Sequence, residues 1–135
     1  MRRRPTRQRA PAGERGSAVV DFALVLVLLV PLVLGILQVA LTLHVRNTLA
    51  SAAAEGARYA AAADRDLASG ASHTRAQISG AVSGRYADDV TVREVVLDGL
   101  PTVEVVVRGD VPALGLGGPG VSFEVRGHAS EESRP

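Results

Sequence analysis

The chain has 135 residues, a formal net charge of +1 and no cysteine; hydrophobic residues make up 47% of it but aromatic residues only 3%. That length suits one domain, and the lack of cysteine excludes disulfides, zinc-finger spacings and thiol catalysis. The near-neutral charge conceals an asymmetry, because Arg2, Arg3, Arg4, Arg7, Arg9 and Arg15 precede the first apolar run against Glu14 alone, while acids outnumber arginines after Leu43.

The basic leader, residues 1–16, gives way to a run without a charged residue from 22 to 43. As a helix that run is about 33 Å long, against about 30 Å of bilayer hydrocarbon, so it predicts a transmembrane segment. Arginines in front of it, with only His44 and Arg46 close behind, put the N-terminus in the cytoplasm and the rest of the chain outside. A cleaved secretory signal peptide shares the basic start, but its apolar core is about 7–15 residues long, and the Ala-x-Ala of "LASAAA" lies beyond the run. Within the run, Pro31 cannot donate to the carbonyl of Val27 and predicts a bend. Gly35 is a small residue of the kind common in membrane helices. Gln38 has two possible partners, a neighbouring helix or its own.

Helical character continues through "HVRNTLASAAAEGARYAAAADRD", which has high helix propensity and no proline. Val45, Leu49, Ala52, Gly56, Tyr59 and Ala63 form a narrow apolar stripe at three- and four-residue spacing. The rows Ala52–Gly56–Ala60 and Ala53–Ala57–Ala61 have the spacing that lets two helices approach closely; propensity alone also explains an alanine-rich helix. Glu55 can pair with Arg58 one turn on. The long helix is expected over residues 17–67, with Gly70 as its stop signal. Thr74 and Gln77 suggest the capping box of a second helix running to about Tyr86.

β-Branched residues then dominate. "DVTVREVVL" and "TVEVVVRGDV", joined by "DGLP", read as a β-hairpin. "PALGLGGPG" reads as a loop. "VSFEVRGHA" alternates, with Val121, Phe123 and Val125 on one face and Ser122, Glu124 and Arg126 on the other. The last residues, 130–135, are expected to be disordered. Residues 68–129 thus make a small extracytoplasmic α+β domain that is marginal alone and has to pack against its own long helix or a partner. The fold class is an α+β membrane protein: a long N-terminal transmembrane helix extending outside the membrane, a short helix, and a small antiparallel sheet.

Nothing in the sequence reads as an active site. His44, His73 and His128 lie in separate segments, without metal-ligand spacing, and are expected to be solvated. Asp64, Asp66, Asp88 and Asp89 sit where acids cap helices or line turns. "GLGGPG" lacks the Lys and Ser/Thr of a phosphate loop, and no serine has a nucleophile-elbow context. The expectation is a protein without catalytic activity, cofactor or metal. The arginine cluster is better explained as a topology signal with anionic-lipid contact than as a nucleic-acid site.

The motif "GSAVVDFALVLVLLVPLVLGILQ", followed by "AAAEGARYA", resembles the TadE-like family of tight-adherence pilus assembly proteins, which are pilin-like minor subunits. The shared features are a basic leader, Gly-Ser, an acid followed by an aromatic, Leu/Val-Pro, Gly-Ile, and a trailing Glu-Gly-Ala-Arg. This resemblance implies cutting by a prepilin peptidase between Gly16 and Ser17, with Asp21 and Phe22 completing the processing motif. Asp21 would then be fifth in the mature chain and would pair with a freed amine, in a filament that of a neighbouring subunit. The family's usual acid is Glu, and Gln38 stands where relatives often carry an acid. Asp21 has a second reading, since an acid in the first turn of a helix is favoured by the macrodipole. The implied partners are other pilin-like subunits, an inner-membrane pilus assembly platform, the prepilin peptidase and the lipid bilayer, with no nucleic acid. Pro31, Gly35, Gln38, Ala53, Gly56, Ala57 and Ala60 are the expected helix-packing positions. An uncleaved, membrane-anchored binding or adhesion domain is the alternative, and an envelope enzyme a more distant one.

Overall fold

The computed structural model describes residues 13–62, 65–114 and 119–130. Helix α1 spans Gly13–Ala61 and continues through Pro31. Helix α2 spans Leu67–Ala81, and a single 3-10 turn, Gly84–Ala87, leads into the sheet. Strands β1 (Val90–Leu97), β2 (Leu100–Val111) and β3 (Val121–Ser130) follow and form one antiparallel sheet in the order β1-β2-β3. The protein is α+β, and among the described residues one helix is long and apolar enough to cross a membrane. The chain divides into two units, one ending at Ile36 and the other beginning at Leu37.

In the first unit α1 buries almost nothing: Val19, Phe22, Leu24, Leu28 and Ile36 are all exposed. In water such a surface is strongly unfavourable, and nothing among the described residues of this unit covers it.

The second unit has a core of small and β-branched side chains. Leu49, Ala53 and Ala57 of α1, Ile78 of α2, and Val105 and Val107 of β2 are completely buried. With so few aromatics, the elements reach interior packing density only by approaching one another closely. A Cβ on Gly127 of β3 would overlap the Ala53–Ala54 peptide of α1, so the sheet rests on bare helix backbone there. A Cβ on Gly56 would overlap Oγ1 of Thr74, and one on Gly70 would overlap Cβ of Ala60. Part of the alanine-glycine pattern thus seats α1 against elements of its own chain.

Several boundaries differ from those expected. The long helix ends at Ala61, short of residue 67, and α2 starts at Leu67, ahead of Gly70. Asp66 caps α2, its carboxylate accepting from the Ser69 N–H at 2.7 Å while the Ser69 side chain accepts from the Asp66 N–H. Those bonds hold the Asp66 carboxyl below its ordinary value. Gly70 therefore does not stop a helix; it lies inside α2, where its missing Cβ permits the approach of Ala60. Thr74 is not a cap either. It is fully buried, and its hydroxyl donates to the Gly70 carbonyl at 2.9 Å. α2 stops at Ala81, and Tyr86 belongs to the 3-10 turn.

The hairpin turn is the two-residue pair Asp98–Gly99, with φ of 52° and 81°; Leu100 and Pro101 are already in β2. Both angles are left-handed, as the favoured hairpin geometry requires, and Asp-Gly is a preferred pair for it. Ser130 closes β3. The expected tail after Ser130, part of the loop after β2, and Ala63 and Asp64 lie outside the described residues.

Candidate functional site

Gly16, Ser17, Asp21 and Phe22 all lie in the first turns of α1, with their side chains exposed. Ser17 and Asp21 are four residues apart, so they share a helix face about 6 Å apart along the axis. An amine created at Ser17 would stand one turn above the Asp21 carboxylate. Space is open around Gly16 and Gly35, and Pro31 is exposed.

Gln38 bonds within its own chain but outside its own helix. Its Nε2 donates to the Pro112 carbonyl at 3.2 Å, and its Oε1 accepts from the Leu114 N–H at 2.8 Å. Both ends of the amide are therefore held by the backbone of the segment after β2. One turn on, Thr42 is half-buried and donates to the Gln38 carbonyl at 2.8 Å. Val45 and Leu49, further along the same side, are buried. Ala53 and Ala57 continue under the sheet, while Gly56 and Ala60 face α2.

Glu55 does not pair with Arg58; its Oε1 lies 3.6 Å from Nε2 of His73 on α2. The imidazole of His73 also stacks on Tyr59, with ring centroids 4.3 Å apart and planes parallel. His73 is thus part of the α1–α2 contact, where the sequence suggested only solvent.

The other face of the sheet carries a charge cluster that the sequence reading did not find. Glu104, at the middle of β2, is only 4% exposed. It accepts from Arg93 Nε at 2.6 Å, lies 3.1 Å from His128 Nε2, and is 3.8 Å from Arg126. Arg126 also pairs with Glu124 at 2.5 Å, and Arg108 joins Glu124 at 2.7 Å and Asp89 at 3.7 Å. Burial pushes the Glu104 carboxyl up, but hydrogen bonds from Arg93 and His128 and the charges of Arg93 and Arg126 outweigh it. The net direction is down. Strand register assembles this group, setting Arg93, Glu104 and His128 side by side. Its charges are paired with one another across the strands, so it reads as a cross-strand brace. Among the described residues no group of three His, Cys, Asp or Glu is placed to hold a metal ion.

The architecture is that of an α+β protein with one N-terminal helix suited to a single-pass membrane anchor. Residues 16–58 match the model of the TadE-like protein family, the family that the sequence motif resembles. No curated protein and no solved structure matches the chain. The match covers about a third of the sequence, from Gly16 to Arg58, and includes every processing position and all the packing positions except Ala60.

Proposed function

We propose that the protein is a pilin-like minor subunit or assembly protein of a tight-adherence type IV pilus or a related secretion system. The observation that carries this reading is where the TadE-like match starts: at Gly16, the residue before the expected cut, with Ser17, Asp21 and Phe22 inside it. In this reading the arginine leader stays in the cytoplasm, the helix crosses the inner membrane once, and the α+β unit lies outside. A prepilin peptidase removes the leader after Gly16. Gly16 is a weak helix residue, by about 1 kcal/mol relative to alanine, which favours opening of the first turn of α1 for cleavage.

Cleavage would give Ser17 a positive charge near Asp21. A lone carboxylate costs about 2.5–3.5 kcal/mol at the centre of a bilayer by insertion scales, and an ammonium at close range offsets part of that. Between subunits, the same pair would set the axial register of one helix against the next. The protein has no catalytic role in this scheme; its partners are other pilin-like subunits, the membrane assembly platform and the peptidase.

Complementation of a deletion strain tests the proposal. Asp21→Glu is expected to restore surface pili, whereas Asp21→Asn and Asp21→Ala are not. Full piliation with Asp21→Ala would refute a role for the carboxylate. The second reading, an uncleaved anchor for a binding domain, draws on the helical backbone that runs through Gly16 and Ser17.

A further inference from the structure

The two hydrogen bonds of Gln38 fix where one loop lies along the long helix. Pro112 and Leu114 are held beside residue 38, which follows the exposed Leu37 in the chain. From Val111 to Phe123 the sequence carries no charge, which is unusual for a water-facing connection. The other end of the sheet is different: its turn is Asp98–Gly99, about 37 Å away along a strand as long as β2.

Bare backbone groups cannot lie at hydrocarbon depth without partners. Here the Pro112 carbonyl and the Leu114 N–H each have one, and it is the same side chain. Gln38 is in turn the first polar residue after a stretch uncharged from Phe22 onward. The pairing thus satisfies polar groups of both segments where the apolar run of α1 ends.

We infer that residues 112–114 rest on the outer lipid surface and that Gln38 marks the outer edge of the hydrocarbon. This moves the outer end of the span from residue 43 to residue 37, and it rests on the membrane reading of α1. The lengths agree. The 22 residues from Ser17 to Gln38 span about 32 Å as a helix, close to the 30 Å of hydrocarbon. Ser17 then lies at the cytoplasmic edge and Asp21 about 6 Å inside it. At that depth an ammonium at Ser17 reaches water while its partner carboxylate does not.

The chain contains no cysteine, so single-cysteine spin labels test this in the full-length protein. Labels would be placed at Leu28, Leu97 and Leu114, in vesicles of mixed phosphatidylcholine and phosphatidylglycerol. Oxygen reports lipid contact and a water-soluble nickel chelate reports water contact. Leu28→Cys and Leu114→Cys are expected to favour oxygen and be shielded from nickel, with Leu97→Cys the reverse. Gln38→Leu should abolish the shielding at 114 and leave that at 28 unchanged. Lipid contact at 28 with water contact at 114 overturns the inference alone. Shielding of 114 from both reagents signals a protein contact and also overturns it. Water contact at 28 overturns the membrane reading and the inference with it.

Discussion

Replacing Gly127 by alanine tests whether the sheet is held by close approach to α1. The added Cβ would overlap the backbone of Ala53 and Ala54, and a helix backbone cannot rotate aside as a side chain can. Helix and strand must separate, and the loss spreads to Leu49, Ala53, Ala57, Val105 and Val107, all with 0% exposure. Overpacking of a filled core costs about 1–3 kcal/mol and occasionally more; with backbone on the receiving side we expect about 3 kcal/mol. At about 4–8 °C per kcal/mol for a domain of this size, that lowers the melting temperature by roughly 12–24 °C. Circular dichroism of the full chain in detergent, followed in the β-sheet region, measures it. Gly80→Ala is the control: it adds a methyl where nothing lies within 4 Å, and it should stabilise α2 by about 0.5–1 kcal/mol. A Gly127→Ala protein melting within a couple of degrees of wild type would refute the packing argument.

The contact between α1 and α2 predicts a coupled pair. Gly56→Ala should be destabilising by about 1–3 kcal/mol, and Thr74→Ala should relieve part of that, since Oγ1 of Thr74 is the first atom that the new methyl meets; a double-mutant cycle in urea reads the coupling. At Glu104, Gln should cost about 1–2 kcal/mol at neutral pH, allowing for screening of the half-exposed arginines. Because the folded carboxyl titrates below its ordinary value of 4.5, its contribution is complete above that value and is lost as the pH falls through the folded one. The stability gap between wild type and Glu104→Gln should therefore close on acidification below about 4.5, as urea midpoints measured across that range will show.

Local signals made much of the architecture legible. The uncharged run announced the long helix, and "DGLP" between two β-branched segments announced the hairpin, whose turn is its first two residues, Asp98–Gly99. That two-residue turn even sets Arg93 opposite Glu104. What the sequence could not supply was long-range pairing. His128 meets Glu104 only because β3 lies beside β2 in one register, and nothing near either residue reports it. The same reason separates the expected and observed roles of Gly70, Thr74 and Gln38. Gly70 and Thr74 looked like local punctuation because glycine stops helices and threonine starts them, but both answer to α1. Gln38 looked like a membrane-helix contact, and its partners are more than seventy residues away. The family resemblance is legible for the opposite reason, being carried by a contiguous stretch that the family match at residues 16–58 also covers.

The most direct test of the account is the N-terminus of the protein recovered from native membranes, determined by mass spectrometry. The account predicts a chain that begins at Ser17, and a Gly16→Ala variant that keeps its arginine leader. A wild-type chain still carrying that leader would contradict prepilin-type processing and leave Asp21 without the amine proposed as its partner.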